Sequence, residues 1–125
     1  MAKICSLADL KKLREELKKT TGREGKTVIN VSLATCSIAS GGETAMDAMK
    51  DEVQKLALAD VEFKKSGCMC YCFAEPTVEV TIPGREPVVF GNVDEARARQ
   101  IVGTYVKNGE LVEGVIPVNY QRAEY

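Results

Sequence analysis

Between Thr27 and Lys64 the chain changes hydrophobic period twice, and that alternation leaves few folds open. Residues 27–35, Thr-Val-Ile-Asn-Val-Ser-Leu-Ala-Thr, are β-prone, with Ile29, Val31 and Leu33 on one face of a strand. Ser40-Gly41-Gly42 then opens a helix whose buried stripe is Met46, Met49, Val53 and Leu56; the two methionines read as core. Val61 and Phe63 against Glu62 and Lys64 give a short second strand. Strand, helix and strand in succession form a βαβ unit, in which the two strands run parallel. Further on, Val78, Val80 and Ile82 alternate with Thr77, Glu79 and Thr81. Pro83-Gly84-Arg85-Glu86 makes a turn, and Val88-Val89-Phe90 returns as the partner strand. Asp94 is placed to cap a last helix carrying Ala98, Ile101, Val102, Tyr105 and Val106, which Asn108-Gly109 ends. Upstream, Ser6 and Asp9 start a leading helix over about 7–19 with Leu10, Leu13 and Leu17 at helical spacing. Lys18 and Lys19 suit its C-terminal dipole, and Gly22 stops it.

The order α-β-α-β-β-β-α predicts an α/β fold, a thioredoxin-like domain with an extra N-terminal helix. At 125 residues the length predicts a single domain spanning 1–125. A net charge of −1 gives no general electrostatic reason to bind nucleic acid or an anionic membrane. The start has no apolar h-region, and no apolar run approaches the roughly 18 residues of a membrane span. With 5 cysteines and no disulfide-scaffold density, the expected compartment is cytoplasmic. The chain has no histidine, which excludes Ser-His-Asp triads, Cys-His dyads, HExxH zinc sites and His-ligated haem within it. Gly22-Arg-Glu-Gly25-Lys26-Thr27 resembles the end of a phosphate-binding loop. That motif would need glycine where Thr20 stands, and here it precedes a strand instead of following one; it reads as a turn.

The cysteines carry the chemistry. Cys36 sits where the first strand ends, and backbone N–H groups at a helix start there would favour its thiolate. Cys68 and Cys72 lie in the loop after the second strand, and loops after successive parallel strands emerge on one edge of the sheet. Cys36, Cys68 and Cys72 are therefore expected to meet. A [2Fe–2S] cluster takes four soft ligands, so a fourth is missing. Cys70 lies between the pair, but a helical turn would face it away. Cys5 is near the N-terminus, and Ser32 is a weaker oxygen candidate. Zinc is an alternative, although paired C-x2-C knuckles are absent. A thioredoxin-type dithiol is a poor fit, since Ser37, Ile38 and Ala39 follow Cys36. Glu75-Pro76 reads as a loop-shaping element. The tail of about 114–125, with Val115, Ile116, Val118, Tyr120 and Tyr125, shows no period and suits a partner surface as anchors; packing back on its own sheet is the alternative.

Ala34-Thr-Cys36-Ser-Ile-Ala-Ser-Gly41-Gly42, followed by Ser66-Gly-Cys68-Met-Cys-Tyr-Cys72-Phe-Ala-Glu75-Pro76, resembles the thioredoxin-like [2Fe–2S] ferredoxin family. Within it the chain is most similar to the small B subunits of NADP-reducing hydrogenases, over residues 1 to about 115. The resemblance implies a metal site at Cys36, Cys68 and Cys72 holding a [2Fe–2S] cluster. It also implies electron transfer within a hydrogenase or NAD(P)H-oxidising flavoprotein complex, whose other subunits are the partners. The family's first ligand falls at Val31, so that ligand does not carry over. The alternative is a cluster-free structural or regulatory subunit of the same kind of complex.

Overall fold

The computed structural model describes residues 3–20 and 25–117. The leading helix, α1, spans Leu7–Thr20. Ser6 Oγ accepts from the Asp9 N–H at 3.2 Å, and the Asp9 carboxylate accepts from the Cys5 N–H at 3.3 Å, so both residues cap the start. The expected stop at Gly22 lies outside the described residues. The leucine stripe forms as predicted, and it stays open to solvent: Leu10 is 50% exposed and Leu17 is 48% exposed.

Strand β1 (Thr27–Ser32) leads into a short helix α2 (Thr35–Ala39) and a long one, α3 (Gly42–Lys55), before strand β2 (Val61–Ser66). The predicted first strand thus ends earlier than the β-prone run, because Thr35 and Cys36 already turn as helix. β1 and β2 pair in parallel, with Thr27 opposite Val61 and Ser32 opposite Ser66. Strands β3 (Val78–Thr81) and β4 (Val88–Phe90) form the antiparallel hairpin, with Val80 opposite Val88. β3 in turn pairs antiparallel with β1, Val31 opposite Val78. Helix α4 (Glu95–Gln100) starts at Asp94, whose carboxylate accepts from the Arg97 N–H at 2.7 Å. It continues as π-helix over Ile101–Val106 and closes where Gly109 takes φ +76° and donates to Tyr105 O.

A last strand, β5 (Val115–Ile116), pairs antiparallel with β4 and completes a sheet of order β2-β1-β3-β4-β5. This corrects the reading of that part of the tail as unpaired: Val115 and Ile116 extend the chain's own sheet. Val118, Tyr120 and Tyr125 lie outside the described residues.

The core is the contact of the sheet with α3 and α4: Ile29, Val31, Val78, Val80 and Phe90 meet Met46, Met49, Ala98, Ile101, Val102 and Tyr105. Phe90 and Tyr105 pack edge to face, centroids 5.4 Å apart, an arrangement worth about 0.5–1.5 kcal/mol beyond area burial. Outside the core, Arg99 ties α4 to α3, donating to Asp51 at 2.6 Å and Glu52 at 3.2 Å.

Candidate metal centre

Parallel pairing of β1 and β2 brings their C-terminal ends to one edge of the sheet, where Leu33 N–H donates to Ser66 O at 2.9 Å. Antiparallel pairing of β3 brings its N-terminal end to the same edge, where Ser32 N–H donates to Thr77 O at 3.1 Å. Three segments therefore converge: α2 with Cys36, the loop after β2 with Cys68 and Cys72, and the lead into β3 with Glu75.

The sulfurs of Cys36, Cys68 and Cys72 all lie within 4.8 Å of one another. Cys68 and Cys72 are 3.3 Å apart, and Cys36 stands 3.9 Å from Cys68 and 4.0 Å from Cys72. Cys70 is outside this group, for a reason other than the one expected. No helical turn forms over 68–71; Cys70 takes a left-handed φ of +65° in an irregular loop, and only Cys72–Ala74 winds as 3-10 helix. That conformation aims the Cys70 N–H at the Cys68 sulfur, 3.3 Å away. Cys5 is likewise outside the group; its thiol is 3.6 Å from Lys3 O.

The protonation preference also differs from expectation. Burial and the Cys68 thiol raise the Cys36 pKa, so α2, only five residues long, does not deliver the thiolate predicted there. Cys68 is the thiol lowered below its usual value, by the Cys72 thiol and then by the Cys70 N–H. Hydrogen bonds to Cys68 and Cys36 keep the proton on Cys72, pushing it up to about 12. Three thiols this close share protons, and the set parts with them in steps.

Glu75 was missed as a site residue. It is only 8% exposed. Its Oε2 accepts from Thr77 N–H at 3.0 Å and Thr77 Oγ1 at 3.3 Å, while Oε1 accepts from Ser32 Oγ at 3.4 Å and faces the Cys36 sulfur at 3.8 Å. Ser32, fully buried, thus serves the carboxylate. The available signal was topological: a strand starting at Val78 and running antiparallel to β1 must deliver the residues before it to the cysteine edge. Val31, at the position of the family's first ligand, is fully buried in the core.

Gly41 and Gly42 make the turn between α2 and α3. Gly41 adopts φ +97°, and a Cβ on Gly42 would stand 2.5 Å from Ser37 Oγ and 3.2 Å from Ser32 O. Ser37 Oγ donates to Ser32 O at 2.6 Å, which binds the turn carrying Cys36 to the end of β1.

A βαβ unit followed by an antiparallel hairpin and a helix, with thiols grouped at the end of the parallel strands, defines a thioredoxin-like domain with a cysteine centre. Two solved structures of the thioredoxin-like [2Fe–2S] ferredoxin from Aquifex aeolicus share this fold. Both match with TM-score 0.65 and 22% identity, covering 74% and 80% of this chain and 98% of theirs. No family model matches the chain. It is 63% identical over 123 residues, 98% of either chain, to the NADP-reducing hydrogenase subunit HndB of Solidesulfovibrio fructosivorans. The chain belongs to the family of that hydrogenase subunit.

Proposed function

We propose that this chain is an electron-transfer subunit of a multisubunit hydrogenase or NAD(P)H-oxidising flavoprotein complex, with Cys36, Cys68 and Cys72 as thiolate ligands of a [2Fe–2S] cluster. The observation that carries this reading is the meeting of three cysteine sulfurs, from two loops, within 4.8 Å at one sheet edge. The donor set fits the group: iron–sulfur clusters are held by soft, anionic cysteine sulfur. The membership of the relative in a hydrogenase supports the assignment to such a complex, and the solved ferredoxins of the same fold support the cluster type.

When bound, a [2Fe–2S] cluster takes up and gives back one electron. The chain's part is placement. β1 and β2 hold Cys36 and the Cys68–Cys72 loop in register, and the buried Ser37–Ser32 hydrogen bond ties the Cys36 turn to the strand end. The Cys70 N–H, donating to the Cys68 sulfur, stabilises negative charge there, which is how a protein tunes such a centre. Ile38, 48% exposed, and Phe73, 83% exposed, flank the ligand residues and offer apolar contact for a partner subunit. The chain then acts as a single domain in the cytoplasm. The described residues include no helix long and apolar enough to cross a membrane.

A second reading, a cluster-free structural subunit, draws on the family ligand position filled by the core residue Val31. Iron and sulfide analysis of the anaerobically purified complex separates the two. The first reading expects about two of each per chain of this subunit, lost in Cys68→Ser and Cys72→Ser. A subunit that contributes no iron or sulfide refutes it.

A further inference from the structure

The three thiols leave a four-ligand centre one donor short, and the structure holds a donor of the right charge beside the gap. Glu75 is a carboxylate only 8% exposed, and among the described residues no lysine or arginine pairs with it. A buried carboxyl needs a hydrogen-bond donor or a cation at each oxygen. Its two oxygens are used unequally. Oε2 is occupied by two donors of Thr77, at 3.0 and 3.3 Å. Oε1 has Ser32 Oγ at 3.4 Å, a long contact, and otherwise faces the Cys36 sulfur at 3.8 Å.

The donors stand near ligand-to-ligand spacing, with Cys36 Sγ 3.9 Å from Cys68 Sγ and 4.0 Å from Cys72 Sγ. Two ligands on one tetrahedral metal, at the ~2.3 Å of a thiolate–metal bond, stand ~3.8 Å apart. Cys68 and Cys72, from one loop, are 3.3 Å apart; Cys36 Sγ and Glu75 Oε1 are 3.8 Å apart. A [2Fe–2S] core requires four donors beyond its bridging sulfides, and Glu75 Oε1 makes the fourth. The other candidates do not compete. Cys70 and Cys5 lie outside the sulfur group; Glu75 meets it at Cys36 alone, with Oε1 3.8 Å from that sulfur, and Ser32 Oγ donates to the carboxylate.

We propose that Glu75, through Oε1, is the fourth ligand, beside Cys36, Cys68 and Cys72. This rests on the cluster reading above. In forming the centre, the carboxylate oxygen donates a lone pair to ferric iron and the three thiols release their protons to solvent. Only the three S–H bonds break, and with iron supplied as ferric ion and sulfur as sulfide no electron moves. Ser32 and Thr77 are positioning residues: the Thr77 donors fix Oε2, which leaves Oε1 to the metal.

The test compares wild type, Glu75→Ala, Glu75→Gln, Glu75→Cys and Cys68→Ser, each as full chain, purified anaerobically and reconstituted with ferric iron and sulfide. Iron and sulfide content, visible absorption and the electron paramagnetic resonance of the dithionite-reduced protein are read. Glu75→Ala and Glu75→Gln are expected to lose at least half of the wild-type iron. Glu75→Cys is expected to keep it with shifted visible bands and g-values, because a thiolate replaces oxygen on one iron. Circular dichroism of the iron-free proteins checks folding. Should Glu75→Ala unfold, the near-isosteric Glu75→Gln and the ligand-restoring Glu75→Cys decide. Wild-type iron content, bands and g-values in all three Glu75 variants, with loss in Cys68→Ser, overturn the ligand assignment and leave the cluster reading standing. Iron-free wild type overturns both.

Discussion

Replacing Gly42 by alanine tests how closely α3 must approach the turn that carries Cys36. An added Cβ would meet Ser37 Oγ at 2.5 Å, Ser37 O at 3.0 Å and Ser32 O at 3.2 Å. The hydroxyl is the only movable member of the three, and moving it breaks the 2.6 Å hydrogen bond to Ser32 O in a fully buried setting. The two carbonyl oxygens belong to backbone and cannot rotate away. Overpacking of this kind costs about 1–3 kcal/mol, and a lost buried hydrogen bond adds about 0.5–1.5 kcal/mol. Against these stands the helix preference of alanine over glycine, at most about 1 kcal/mol. The net expectation is a loss of about 1–3 kcal/mol, and for a domain of this size a fall in Tm of about 4–12 °C. Gly103→Ala is the matched control. It lies in the π-helical stretch, has no atom within 4 Å of the added Cβ and has no left-handed φ. That variant should hold or gain up to about 1 kcal/mol. Thermal and urea melts of the metal-free chain measure both. A Gly42→Ala protein as stable as wild type, or two variants shifted in the same direction, would refute the close-approach reasoning.

In the metal-free protein at neutral pH, iodoacetamide should label Cys68 before Cys36 and Cys72. The Cys68 pKa is lowered and the Cys36 pKa raised, while Cys72 is held up to about 12; peptide mass spectrometry reads the order, and earlier labelling of Cys72 contradicts it. Cys70→Ala should retain wild-type iron content while Cys72→Ala loses it, because the Cys70 sulfur is outside the sulfur group; matching losses would make Cys70 a ligand. Arg99→Ala should lower Tm by unpinning α4 from Asp51 and Glu52. Hydrogen bonds from Lys55 and then Arg99 depress the Asp51 pKa, so this contribution is present above the ordinary carboxylate range and fades as pH falls through the folded value. The Tm gap to wild type should therefore narrow below about pH 4 and in high salt, and a gap indifferent to both would point to lost packing instead.

Local pattern was enough for much of the architecture. The alternation at Val78, Val80 and Ile82 marked β3, the Met46 and Met49 stripe marked α3, and Asp94 and Gly109 marked the two ends of the last helix. Each of these signals sits within a few residues, where backbone geometry and side-chain period are directly coupled. The same coupling misled at α1. Its leucines repeat at the spacing of a buried face, yet Leu10 and Leu17 are about half exposed. Period shows that a helix has an apolar side; it carries no information about what lies against that side.

By itself the sequence determined that strand, helix and strand would run parallel and that Cys36 would reach Cys68 and Cys72. Parallel pairing sends both strand ends to one edge, whatever the intervening distance along the chain. Only the tertiary structure decided the rest of the centre. Glu75 comes beside Cys36 because β3 returns antiparallel beside β1, and Cys70 stays outside the sulfur group with a left-handed φ in place of the expected helical turn. The ranking of the thiols reversed as well. Cys36 lost its predicted preference for the thiolate and Cys68 gained one, since burial and neighbouring donors at distances of 3 to 4 Å set a pKa. Such distances are made by pairing between segments far apart in the chain, and no local window of residues contains them.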